Sequence, residues 1–177
     1  RNNFTFNDLT TEGPITAIRI EGPNNSIDHK INELCQELKV QKKEVVILEP
    51  EQSNIFWEKT RCLQVFSNLE SNLLKIVVPS TEAFEVINKL KVYKIKYFVD
   101  WGGSLIWVQI NNISSKILKN IKEIVKNFSG YVTVIKIEEN LKASVDVFTI
   151  DPIKYKITEK IKKSFDPKRI LNPGKMY

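Results

Sequence analysis

The sequence predicts an α+β fold, a ferredoxin-like α/β sandwich with a mostly antiparallel sheet and helices on one face. Three observations carry that expectation. Short apolar runs of strand period alternate with longer runs of helical period along the 177 residues. From residue 72 to residue 138 the runs follow the order strand, helix, strand, strand, helix, strand, the split βαβ arrangement. No linker, low-complexity tract or convincing internal repeat interrupts them.

The elements follow in order. Residues 1–13 form a leader. PITAIRIE (14–21) alternates like a strand, and Gly22-Pro23-Asn24-Asn25 is a turn. Ile27, Ile31, Leu34, Cys35 and Leu38 recur at helical spacing over residues 26–39. EVVILE (44–49) predicts a short, largely buried strand. After Pro50, Ile55, Phe56, Lys59 and Cys62 fall within helical reach, and NLLKIVVP (72–79) is a third strand. Ser80-Thr81-Glu82 after Pro79 resembles a hydroxyl-capped helix start, leading into Ala83, Val86, Ile87 and Leu90. Two alternating runs flank Gly102-Gly103, which supplies the positive backbone angles of a hairpin. Ile117, Leu118, Ile121, Ile124, Val125 and Phe128 mark the most regular helix, and YVTVIKIE (131–138) is the last strand. Residues 139–150 are expected to be loop. Asp151-Pro152 then caps a helix with Ile153, Ile157, Ile161 and Phe165 at every fourth position. Both blocks of strands are expected to feed one larger sheet.

Length and composition bound the function. A chain of this size is one domain, or one with an appendage, and buries roughly 70% of its unfolded surface. Cys35 and Cys62 are too few for a disulfide framework, so both are expected to be free thiols in a reducing compartment. No apolar run reaches the roughly 20 residues of a membrane span, and residues 1–14 have no apolar signal core, so a soluble cytoplasmic protein is expected. The net charge of +6 comes from lysines spread over helix faces (Lys116, Lys119, Lys122, Lys126), the pattern of a solvated surface and not of a nucleic-acid site.

Much chemistry is missing. A single histidine, His29, and two distant cysteines supply no ordinary transition-metal site. The six glycines form neither a Walker loop nor GxGxxG, and no nucleophile elbow is present. Three stretches still stand out. Asp100-Trp101-Gly102-Gly103 places an aromatic and a carboxylate at a hairpin tip, most simply a structural turn with Trp101 in the core. Trp57-Glu58-Lys59-Thr60-Arg61 sets an arginine one turn past a tryptophan, where an exposed arginine on a packing helix is as natural as a ligand contact. The coda, residues 166–177, is rich in Pro, Gly and apolar residues, which favours docking on a surface over a disordered tail.

FDPKRILNPGKMY resembles the C-terminal signature of FAD-linked oxidases of the vanillyl-alcohol-oxidase type. With FW…TR (56–61), VDWGGSLIW (99–107) and SGYVTVIK (129–136), the chain is similar to the FAD-binding E subunit of bacterial glycolate oxidases, from about Ala17 to Tyr177. The resemblance implies that residues 14–165 are the cap, or substrate, domain of an FAD-dependent 2-hydroxy-acid oxidoreductase. The coda would dock on a flavin-binding domain outside these 177 residues. It implies that Arg61 pairs with the substrate carboxylate, although Cys62 stands where the family has Glu. Asn172, Gly174 and Lys175 would lie near the FAD or its domain. Implied partners are that flavin-binding domain or subunit, and the D-type flavoprotein and iron–sulfur subunits of a glycolate oxidase complex. This fragment is not expected to bind FAD or to turn over by itself. The metal-binding histidines of the D subunit have no counterpart, and Tyr131-Val132-Thr133 replaces a His common in E-type members. The competing expectation is a non-catalytic ferredoxin-like regulatory or assembly module, with a flat sheet face and a loose tail.

Overall fold

A computed structural model of the chain describes residues 15–41, 44–66, 72–142, 144–148 and 152–172. The chain divides into two compact units, Arg1–Val65 and Phe66–Tyr177.

The first unit contains two helices, α1 (Asn24–Glu37) and α2 (Pro50–Arg61). On α1 the more buried face is Ile27, Ile31, Leu34 and Cys35, the side that the spacing marks as apolar. The start of α2 is fixed by chemistry legible in the chain. Pro50 occupies the first turn, and the Glu49 and Gln52 side chains cap each other's backbone reciprocally. Phe56 is buried and meets Trp57 edge to face, with ring centroids 5.2 Å apart.

Two expected strands are not formed in this unit. Residues 15–20 have no sheet partner among the described residues, and Ile15 and Ile18 are exposed. Residues 45–49 are likewise unpaired, with Val45, Val46 and Ile47 exposed where a buried strand was expected. Alternation makes a segment competent for a sheet, but a strand exists only where a neighbouring ladder takes up its N–H and C=O groups. The expected larger sheet is therefore not found among the described residues.

The second unit is the α+β sandwich. Strands β1 (Asn72–Val77), β2 (Lys96–Asp100), β3 (Leu105–Ile110) and β4 (Tyr131–Lys136) form one antiparallel sheet in the order β2-β3-β1-β4. Helices α3 (Ala83–Leu90) and α4 (Ser115–Asn127) connect the strands. Their apolar stripes, Val86, Ile87 and Leu90 with Leu118, Ile121 and Val125, share one core with Leu74, Ile76, Ile106, Val108, Val132 and Val134. Those strand residues lie opposite one another across the ladder, so both helices cover the same face of the sheet. Gly130 lets α4 turn tightly into β4: a Cβ there would lie 2.4 Å from Val78 Cγ1 and 2.7 Å from the Val77 carbonyl.

Smaller differences have local causes. Ser114 Oγ caps α4 by accepting the Ile117 N–H. At Ser80–Glu82 a single 3₁₀ turn precedes α3 and no side chain caps it, since Pro79 and the tight turn already set the entry. The expected loop 139–150 contains a short helix, α5 (Glu139–Lys142), and its later part pairs with the edge of β4 through Thr133 and Phe148. The final helix, α6, spans Pro152–Phe165; its expected cap Asp151 lies outside the described residues. Among the described residues, no helix is long and apolar enough to cross a membrane.

Candidate functional site

Helix α6 turns its apolar side outward. Ile157 and Ile161 are each 53% exposed and Phe165 82%, whereas the half-buried residues are Thr158, Glu159 and Lys162 on the polar side. An amphipathic helix in a finished core does the reverse. Residues 166–172 fold back on the polar side.

Asp166 organises that return. Its carboxylate accepts the N–H of Ile170 at 2.8 Å, the N–H of Leu171 at 3.0 Å and the Lys162 ammonium at 2.7 Å. Lys162 also donates to the Leu171 carbonyl at 2.8 Å, and Arg169 lies 3.6 Å from Glu159. Arg169 and Asn172 take left-handed backbone angles, φ 51° and 48°, which bring the chain round. The Lys162 hydrogen bond, helped by the two backbone N–H groups and opposed by desolvation, holds the Asp166 carboxyl below its ordinary range. Ile170 and Leu171 are fixed at the backbone yet exposed at the side chain, as is Asn172. Gly174 and Lys175, the other residues expected near a flavin, lie outside the described residues.

Arg61 closes the last turn of α2 with its side chain 78% exposed, and Glu58 approaches no nearer than 4.0 Å. A pair so long and so wet contributes little, so the guanidinium is available to a ligand.

The structure adds a residue that sequence reasoning missed. On the sheet face away from the helices, the register aligns Phe98, Trp107, Lys75 and Thr133 in a row across β2, β3, β1 and β4. Each is half-buried. Lys75 Nζ stands 5.1 Å from the centre of the Trp101 ring, a cation–π distance. Trp101 itself is 60% exposed at the hairpin tip, which corrects the expectation of a core position. The tip brings its indole over Lys75 instead of into the helix-side core. A lysine inside the apolar run LLKIV of a central strand was the available signal.

An ammonium flanked by indoles and a hydroxyl, on a partly desolvated surface, suits an anion the size of a carboxylate. No group of three His, Cys, Asp or Glu side chains that could hold a metal occurs among the described residues. No curated protein and no solved structure matches the chain significantly. Residues 147–176 match the family model of the FAD linked oxidases, C-terminal domain. The matched stretch takes in the whole of α6 and the Asp166 turn, and it supports an FAD-linked oxidase C-terminal domain at this end of the chain.

Proposed function

We propose that the chain is the cap and C-terminal segment of an FAD-dependent 2-hydroxy-acid oxidoreductase of the glycolate oxidase E-subunit kind, working on a flavin-binding domain that these residues do not supply. The observation that carries this reading is the outward apolar side of α6, within the stretch that matches the FAD-linked oxidase model. Ile157, Ile161 and Phe165, with Ile170 and Leu171 beyond them, offer a surface for a flavin domain to cover. Asp166 fixes the start of the coda, which speaks against the loose tail of a regulatory module.

The residues suit a wall beside a flavin. The sequence holds no glycine-rich cradle for a pyrophosphate, whereas Lys75 and Thr133 offer donors to an anion on an open sheet face. The flavin supplies the acceptor for the hydride removed from the α-carbon. In this reading Lys75 is a cation available to a substrate carboxylate beside the indoles of Trp101 and Trp107; Arg61, on the other unit, is a candidate for such a contact by itself. The family resemblance assigns contacts with the flavin or its domain to Asn172, Gly174 and Lys175, of which Asn172 is among the described residues and exposed. The D-type and iron–sulfur subunits of such a complex are the further partners.

The test is a flavin titration of the purified chain, alone and with a glycolate oxidase flavin-binding domain. The expected result is FAD binding only with that domain present, weakened by Phe165→Asp. Tight FAD binding by the folded chain alone overturns the reading.

A further inference from the structure

Helix α6 carries a second feature on the side it turns outward. Of its five lysines, Lys156, Lys160 and Lys163 are exposed and stand four and three residues apart, so they form one ridge along the helix. Lys156 and Lys160 each follow an exposed isoleucine, Ile153 and Ile157, by three residues, which sets the ridge beside the apolar stripe. Lys154, near the start of the helix, lies on the other flank.

Among the described residues, the ion pairs of this segment join Lys162 to Asp166 and Arg169 to Glu159, and none uses the ridge. Glu159, the one acid of α6, is half-buried on the opposite side. The outward face of the helix therefore presents apolar side chains and ammonium groups without a carboxylate. Like charges one turn apart oppose a helix, so the ridge does not support α6 itself.

We infer that the ridge selects the partner: the surface that covers α6 is a protein face with an apolar groove for Ile153, Ile157, Ile161 and Phe165 and a row of carboxylates along one side of it for Lys156, Lys160 and Lys163. The inference rests on the reading just given, in which that partner is the flavin-binding domain, and adds the chemistry of its docking face. Protein interfaces combine an apolar centre with a polar rim, and complementary rim charges speed encounter and fix register more than they add affinity. A row on one flank also fixes which way round the helix lies. Two other occupants fit less well. A helix lying in a lipid surface keeps its polar side in water. On α6, residues 166–172 fold back on that side, where Lys162 donates to Asp166 and to the Leu171 carbonyl. A second copy of the chain offers the same face, lysines without carboxylates, so self-association through the stripe works against the charges.

The experiment measures association and dissociation rates of the chain with a glycolate oxidase flavin-binding domain over a range of salt. The variants are the triple Lys156→Glu, Lys160→Glu, Lys163→Glu and, separately, Phe165→Asp. Lysine and glutamate are comparable helix formers and the ridge is exposed, so folding is not endangered; unchanged Ile170 and Leu171 amide resonances report it. Wild-type association is expected to slow at least about tenfold between about 50 mM and about 500 mM NaCl. The triple variant should associate at least about tenfold more slowly at low salt, with dissociation changed less than about threefold. Phe165→Asp should instead speed dissociation and keep the salt dependence. Self-association of the wild-type chain should strengthen with salt; weakening would make a second copy the charge-complementary occupant and overturn the inference. Binding that ignores salt and the triple variant but is lost in Phe165→Asp overturns the acidic face and leaves the docking reading standing. Failure of the wild-type chain to bind the domain at any salt overturns both. Ridge-dependent binding to phosphatidylglycerol vesicles, with none to the domain, replaces them with a lipid surface.

Discussion

Lys162 Nζ lies 2.7 Å from Asp166 Oδ2, and the same carboxylate accepts the N–H groups of Ile170 and Leu171. One side chain thus joins the last turn of α6 to the coda. Because Lys162 holds the Asp166 carboxyl below its ordinary value of 3.8, the folded state binds the proton less readily than the unfolded one. The contribution is complete above the unfolded value and is lost as pH falls through the lowered one. The amide resonances of Ile170 and Leu171 should therefore stay fixed from neutral pH to about 4 and move together only below it. Asp166→Asn should displace both at neutral pH and abolish the acid transition.

Lys122 fastens the other end of the C-terminal segment. Its ammonium donates to the carbonyls of Asp146 and Phe148, beside the point where Val134 N–H bonds the Val147 carbonyl at 2.8 Å. Burial lowers the Lys122 pKa, and the nearby Asp146 charge only partly opposes this. A lowered lysine disfavours the folded state at neutral pH, and that penalty is relieved as pH rises through the lowered value toward 10.5. Lys122→Met removes both hydrogen bonds, at a cost of about 1–3 kcal/mol. Hydrogen exchange should report it first, as lost protection at Val134 with little change at Ile106 in the sheet centre.

Asn72 is 1% exposed and fully engaged. Its amide donates to the carbonyls of Ile110 and Asn111 and to Glu138, while its oxygen accepts the Glu138 N–H at 2.9 Å. It ties the end of β3 to the chain leaving β4. Asn72→Leu keeps the branched shape but removes these hydrogen bonds, so urea unfolding should show a loss of about 2–4 kcal/mol. A loss under about 0.5 kcal/mol would mean that water replaces the amide.

The regular helices and the hairpin were legible because their information is local. Ile117 to Phe128 repeats at helical spacing, and Gly102-Gly103 marks its own turn. What was not legible depends on neighbours. PITAIRIE alternates like a strand and EVVILE is a short apolar run, but residues 15–20 and 45–49 have no ladder to join among the described residues. Lys75 gained meaning only when the register set it beside Trp107 and Thr133, and Trp101 only when the tip carried it over Lys75. The Asp-Pro of the coda was visible as a signature. Its physical role as an acceptor of N–H groups four and five residues ahead required the fold.

The outward side of α6 gives the sharpest contrast between stability and association. Phe165 is 82% exposed, so Phe165→Asp removes little buried surface from the chain itself and should change the unfolding free energy by less than about 0.5 kcal/mol. Ile161 is 53% exposed, so Ile161→Asp should cost more, about 1 kcal/mol, without unfolding the chain. A surface built to be covered behaves differently in solution, because exposed apolar area drives contact with whatever is present. Concentrated wild-type chain should therefore self-associate in sedimentation velocity, and the double variant should remain monomeric at the same concentration. A wild-type chain that stays monomeric with its apolar side uncovered, or a double variant that unfolds, would show that this side of α6 is not a docking surface.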